Sequence, residues 1–165
     1  MKSFRIVASL VFLLAATTAF AQSDSQKTFD HLKSLTGNWQ GKASNGNTMK
    51  VVFRPTSGGS ALLSEIMGEE DMITMFHVDN DRVLMTHYCG AGNQPRMQAK
   101  MSPDGKTITF TFVDATNLTI PGAGHMDHLV ITMPDPDHHT EDWTFVNGGK
   151  EMKEHFDLAR AKASM

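Results

Sequence analysis

The sequence predicts an all-β protein, an up-and-down barrel of about ten antiparallel strands preceded by one short N-terminal helix. Three observations carry that reading. Short runs rich in β-branched and aromatic residues recur roughly every eight to twelve residues, the spacing of a sandwich or barrel. Turn residues separate them, and only the segment around Phe29 shows helical periodicity. An open sheet of so many consecutive strands leaves unpaired edges, which closure removes, so the barrel is preferred to the two-sheet sandwich.

The helix is expected over 25–35, where Phe29, Leu32 and Leu35 recur at three-residue spacing, with Ser25 as cap and Gly37 as stop. Strands are expected over 38–43, 48–54, 61–67, 71–78, 82–89, 95–101, 107–113, 126–133, 140–146 and 151–159. Asn45-Gly46 and Asn147-Gly148 tolerate positive φ, and Ser102-Pro103-Asp104-Gly105 presets a tight turn. A two-residue turn at Asn80-Asp81 sets Val78 opposite Val83, Phe76 opposite Met85, Thr74 opposite His87 and Met72 opposite Cys89, all on one face. The Pro103-Asp104 turn sets Met97 and Ala99 beside Phe110 and Ile108, leaving Thr107, Thr109 and Thr111 outside with Gln98 and Lys100.

Residues 1–21 read as a secretory signal peptide. Lys2 and Arg5 precede the apolar run from Ile6 to Leu14, and Ala19-Phe20-Ala21 forms a small-x-small cleavage site before Gln22. The run is shorter than the ~20 residues a membrane span needs. Residues 22–165 then form a single domain, periplasmic or extracellular in a bacterium, with no stable membrane anchor expected. The chain carries 15 Lys and Arg against 18 Asp and Glu, and the leader holds two of the cations and no acid, which disfavours a nucleic-acid partner. Its single cysteine excludes a disulfide scaffold.

Gly37-Asn38-Trp39, following a short helix and opening the first strand, resembles the Gly-x-Trp signature of the calycin superfamily of lipocalin-like and nitrobindin-like β-barrels. Arg160, closing Phe156-Asp157-Leu158-Ala159-Arg160, matches the terminal-strand Arg that lies across this Trp in the lipocalin-like pattern. The segments from His87 to Arg96 and from His139 to Trp143 resemble an uncharacterised branch of exported bacterial proteins in that superfamily. The resemblance implies the barrel, structural roles for Trp39 and Arg160, and a small apolar ligand inside.

In a meander, successive turns alternate between the two ends. The loops at 44–47, 68–70, 90–94, 114–125 and 147–150 therefore share the end opposite Trp39, and 114–125 has the length of a lid. A ligand site is expected at that end. His87, Cys89, Glu65, Asn93 and His125 supply its polar groups, and Met72, Met85, Met97 and Phe110 its walls. Arg96 belongs to the rim, and Tyr88 and His155 face outward.

The other readings are weaker. His125 and His128 are three apart, which on a regular strand sends them to opposite faces, so no metal site is expected. Asp135, Asp137, His138, His139 and Glu141 read as a solvated turn at the closed end. No cofactor is expected, although the resemblance admits haem on a histidine, with His87 as the axial candidate. Motifs such as G-x-S-x-G, H-E-x-x-H, C-x-x-C and the P-loop are absent, and no catalytic residue is assigned. The expected function is therefore that of an exported small-molecule binder. A haem-binding or hydrolytic protein using His87 is the alternative, and a packed barrel acting through its surface a further one.

Overall fold

A computed structural model describes residues 22–68 and 71–162; the expected leader lies outside them. After the helix α1 (Asp24–Lys33) come β1 (Gly37–Ala43), β2 (Thr48–Thr56), β3 (Ala61–Met67), β4 (Met72–Asp79) and β5 (Arg82–Tyr88). They continue as β6 (Gln94–Met101), β7 (Thr107–Thr116), β8 (His125–Asp135), β9 (His138–Asn147) and β10 (Lys150–Arg160). Each strand pairs antiparallel with its neighbours in sequence, and β1 pairs with β10 to close the barrel. The all-β, ten-stranded up-and-down architecture expected from the sequence is the one observed.

Helix α1 covers one end. Phe29 and Leu32 on its buried face, with Leu35 just beyond, enter the core. Both expected helix signals are corrected. Ser23, not Ser25, is the N-cap and accepts from the Gln26 N–H, while the Ser25 hydroxyl donates to the Asn80 carbonyl. The helix ends at Lys33, capped by Ser34, and Gly37 with φ 132° opens β1 instead. The earlier stop leaves the Ser34 and Thr36 carbonyls outside the helix, where the Arg160 guanidinium donates a hydrogen bond to each.

The β4–β5 hairpin has the expected register, with Val78 opposite Val83, Phe76 opposite Met85 and Thr74 opposite His87. Asn80, at φ 56°, makes the tight turn possible. The β6–β7 pairing departs from expectation by two residues: Ala99 lies opposite Phe110 and Met101 opposite Ile108. The loop is wider than a two-residue turn because Ser102 N–H reaches the Thr107 carbonyl and Asp104 accepts from Lys106 N–H. A shift of two preserves which side chains face inward. Met97 keeps this register opposite Phe112, and a bulge between Arg96 and Met97 then pairs Arg96 with Asp114 on the rim.

The seam between β1 and β10 depends on a missing side chain. A Cβ at Gly41 would meet the Asp157 carbonyl oxygen at 1.7 Å. Beside it, Trp39 lies opposite Arg160, whose guanidinium sits 4.2 Å from the indole. The same guanidinium donates to the Ser34, Thr36 and Pro136 carbonyls, and the indole N–H donates to Leu35 O at 2.7 Å. One side chain thus ties together the last strand, the first strand, the helix end and the β8–β9 turn. A lysine keeps the charge but cannot span three carbonyls. Arg160→Lys is therefore expected to lose about 1–3 kcal/mol of stability in urea unfolding, by weakening the seam rather than the hairpins.

Candidate functional site

Alternation along β5 sends Val83, Met85 and His87 inward, and all three are buried. His87 is 0% exposed, and its Nδ1 lies 2.9 Å from the Thr74 hydroxyl on the neighbouring strand. Thr74 is in turn directly opposite buried Ser64 on β3. Three adjacent strands therefore present a polar stripe, Ser64–Thr74–His87, to the interior. His87 Nε2 has no hydrogen-bond partner among the described residues. Burial pushes the His87 pKa down to about 4, so the ring is neutral near pH 7.

The stripe continues across the barrel. The His87 ring lies 4.7 Å from the Trp143 ring on β9, four strands away around the wall. Trp143 Nε1–H donates to Glu141 Oε2 at 2.9 Å, and Glu141 Oε1 is hydrogen-bonded to His139 Nε2 at 3.2 Å. The His139 ring stands edge-on to Trp39 at 4.3 Å, which returns the chain of contacts to Arg160.

His139 and Glu141 are thus 0% and 1% exposed, not members of a solvated turn. Their inward position was available from parity, since they alternate with Trp143 and Phe145 on β9. The density of charged residues in 135–141 concealed it. Asp135 and His138 from the same cluster do lie on the surface, hydrogen-bonded to each other.

Rings from walls far apart around the barrel touch, so the middle of the barrel is filled. Met85, Met97 and Phe110, expected as cavity walls, are fully buried in this packed core, with Phe110 5.4 Å from Phe76. Haem does not fit on His87: the imidazole is sealed, and the Trp143 ring occupies the space beside it where a macrocycle would have to lie.

Glu65 is also corrected. It lies between buried Ser64 and Ile66 and pairs with Ile73 on the outer face, so it belongs to the exterior wall. Cys89 falls just beyond β5, half-buried in the turn where its N–H donates to Asn93 O, and so does not form the expected strand pair with Met72.

Space remains at the end opposite α1. A groove of about 510 Å³ is floored by Met49, Met72 and Phe156, with Gly68 at its edge. Met72 precedes Thr74 by two residues on the same inward face, and the groove lies on the β10–β1–β2 side of the mouth, with neither Thr74 nor His87 in its lining. The loop 117–124 folds over the other side of the mouth. Asn93 Nδ2 donates to Gly124 O at 2.7 Å, Asn117 Nδ2 to Gly92 O, and Gly148 N–H to Gly122 O. A Cβ on Gly124 would meet the Phe145 ring at 2.5 Å, so the loop lies close against β9.

Asn93 is buried, and its Oδ1 has no partner among the described residues. His125 sits at the loop base, half-buried, with Nδ1 2.9 Å from Ala123 O and its ring 4.7 Å from Phe112. A bulge at Asp127 lets both His125 and His128 approach that carboxylate, yet no group of three or more ligating side chains suited to a metal occurs among the described residues. Tyr88 and His155 are exposed, the latter hydrogen-bonded to Asp142.

No family model matches this chain, and no curated protein does. Solved structures do. The crystal structure of Rv2717c from M. tuberculosis superposes with a TM-score of 0.58 at 16% identity, over 84% of this chain and 100% of that one. A protein of unknown function from the DUF3598 family of Nostoc punctiforme superposes with a TM-score of 0.53 at 12% identity, over 79% of this chain. This chain spans about half of that protein, 49%. The likeness is one of fold. Among the described residues, no helix is long and apolar enough to cross a membrane.

Two outcomes follow from the buried chain. Between about pH 6.5 and 4 the unfolded protein carries a proton on His87 that the folded protein refuses, so stability falls as pH drops through that window and levels off below it. The change amounts to as much as about 3 kcal/mol. In urea titrations at neutral pH and near pH 4.5, His87→Leu is expected to flatten this slope. Glu141→Leu strands the Trp143 and His139 donors and is expected to lose about 2–4 kcal/mol, whereas Glu141→Gln retains an acceptor and loses less.

Proposed function

We propose that the protein is an exported small-molecule binder that holds a mainly apolar ligand at the mouth of its barrel. The observation that carries this reading is the groove at the mouth floored by Met49, Met72 and Phe156, with Asn45, Asn47, Thr48 and Glu154 at its sides. Apolar walls with a few convergent polar groups are the usual composition of a ligand site. Methionine supplies much of the wall, and its unbranched thioether rearranges readily around an incoming molecule. The 117–124 loop, held by single hydrogen bonds rather than by a strand ladder, supports a lid role. The leader read from residues 1–21 supports export.

The packed barrel that acts through its surface is the second reading, favoured by the ring contacts across the interior. The two differ at the mouth. Under the binding reading, protein taken from an exporting host begins at Gln22 and releases an apolar molecule into organic solvent. Met72→Trp fills the groove and weakens an environment-sensitive apolar dye about tenfold or more. Intact apo mass, with dye affinity unchanged in Met72→Trp, would sink the binding reading in favour of the packed barrel.

A further inference from the structure

Strand β10 carries a carboxylate on its inward face. The inward positions run Leu158, Phe156 and then Glu154 towards the mouth. The first two are buried in the core, and Glu154 is half-buried between exposed Lys153 and His155. It forms one side of the mouth groove, whose floor is Met49, Met72 and Phe156. No Lys, Arg or His lines that groove, and among the described residues Glu154 has no ion-pair partner. We infer that the groove takes an amphipathic cation, an apolar body carrying a protonated amine, with the Glu154 carboxylate as its counter-charge. This inference rests on the binding reading above and names the charge of the ligand's head group.

The end of the neighbouring strand sets the carboxylate in place. β1 stops pairing with β10 at Ala43, opposite Phe156. Just beyond, Ser44 N–H donates to His155 O, and His155 N–H donates to the Ser44 hydroxyl. That hydroxyl gives its single proton to Glu154 Oε1 at 2.9 Å. Oε1 is thereby fixed, and Oε2 keeps its lone pairs for a donor arriving from the groove. The cations nearby are engaged elsewhere. Lys153 pairs with Glu151, His155 with Asp142, and Lys42 reaches Thr48 Oγ1 and Gly46 O at the groove edge.

Charge decides among the ligands that such a floor could take. A molecule lying on Met49, Met72 and Phe156 strips water from the carboxylate beside it. A hydrocarbon answers nothing, an alcohol offers one neutral donor, and a carboxylate adds a second negative charge. An ammonium group brings both the opposite charge and N–H donors. Side chains two residues apart on one strand face stand about 6.5–7 Å apart. A head group at Glu154 therefore puts the first carbons of the body over Phe156. The tip of Met49 lies against Gly68, where a Cβ would stand 3.3 Å from its Cε, and this unbranched side chain can shift to admit the body.

The test is a chain-matched series titrated into the purified protein by calorimetry at neutral pH: decylammonium, 1-decanol and decanoate. Decylammonium is expected to bind about tenfold or more tighter than decanol, with decanoate weakest. Added salt should narrow the gap between ammonium and alcohol. The methyl NMR resonances of Met49 and Met72 should move with decylammonium. Glu154→Gln keeps an acceptor for Ser44 and removes the charge, so it should bring decylammonium down to the affinity of decanol and leave decanol unchanged. Glu151→Gln removes an exposed acid from the same hairpin and should change neither. An equal loss in Glu151→Gln would trace the preference to general acidity and overturn the role of Glu154. Equal affinities for decylammonium and decanol in the wild-type protein would overturn the head-group inference and leave apolar binding standing. No binding by any of the three would overturn both. The comparison among probes uses wild-type protein, so it holds even where a variant fails to fold.

Discussion

The barrel depends on how its last strand is fastened to its first. Nine of the neighbouring pairings join strands adjacent in sequence, and short turns bring those together locally. The β1–β10 pair joins the two ends of the chain instead and has no turn to hold it. Arg160 supplies the fastening. Its planar guanidinium lies over Trp39 and donates to carbonyls from the helix end and from the β8–β9 turn. Gly41 allows the backbones at the seam to approach where any side chain would collide with Asp157. Because the helix end is fixed by the same residue, Phe29, Leu32 and Leu35 plug the barrel at the point where it closes.

From that plug the interior runs as one line of contacts, from Trp39 through His139, Glu141 and Trp143 to His87 and Thr74. Polar and aromatic groups alternate along it, and the polar members bond mainly to one another. The line spans the width of the barrel, which fills the middle and confines any ligand to the mouth. The ends thereby divide their tasks: the closed end carries the long-range fastening, and the open end holds the methionines, the bonded loop and the unanswered polar atoms. A pH-dependent His87 and a buried carboxyl at Glu141 belong to the packing of this line.

Parity explains both what was readable in the residues and what was missed. Strand alternation and the Asn80-Asp81 turn gave the inward face of β5 and the pairing of Thr74 with His87, because both follow from local geometry. The same rule applied to β9 would have placed His139 and Glu141 inside, but the acids and histidines around them looked like a solvated turn. Glu65 failed differently: it was grouped with the mouth by its position along β3, while its own parity sends it out between Ser64 and Ile66. Charge density and closeness to an end are weaker guides than the two-residue repeat.

The amino-acid sequence by itself determined the number of strands, nearly all their positions, the meander, and which end would be closed. Each of these depends on turn chemistry and alternation within a few residues. Only the tertiary structure decided that the interior is filled, that Met85, Met97 and Phe110 are core rather than cavity wall, and that the open space lies over Met72. It also placed His87 against Trp143 and left Nε2 and Asn93 Oδ1 unanswered. The reason is geometric: alternation says which way a side chain points, but the distance between walls is set by the shear and closure of the whole barrel.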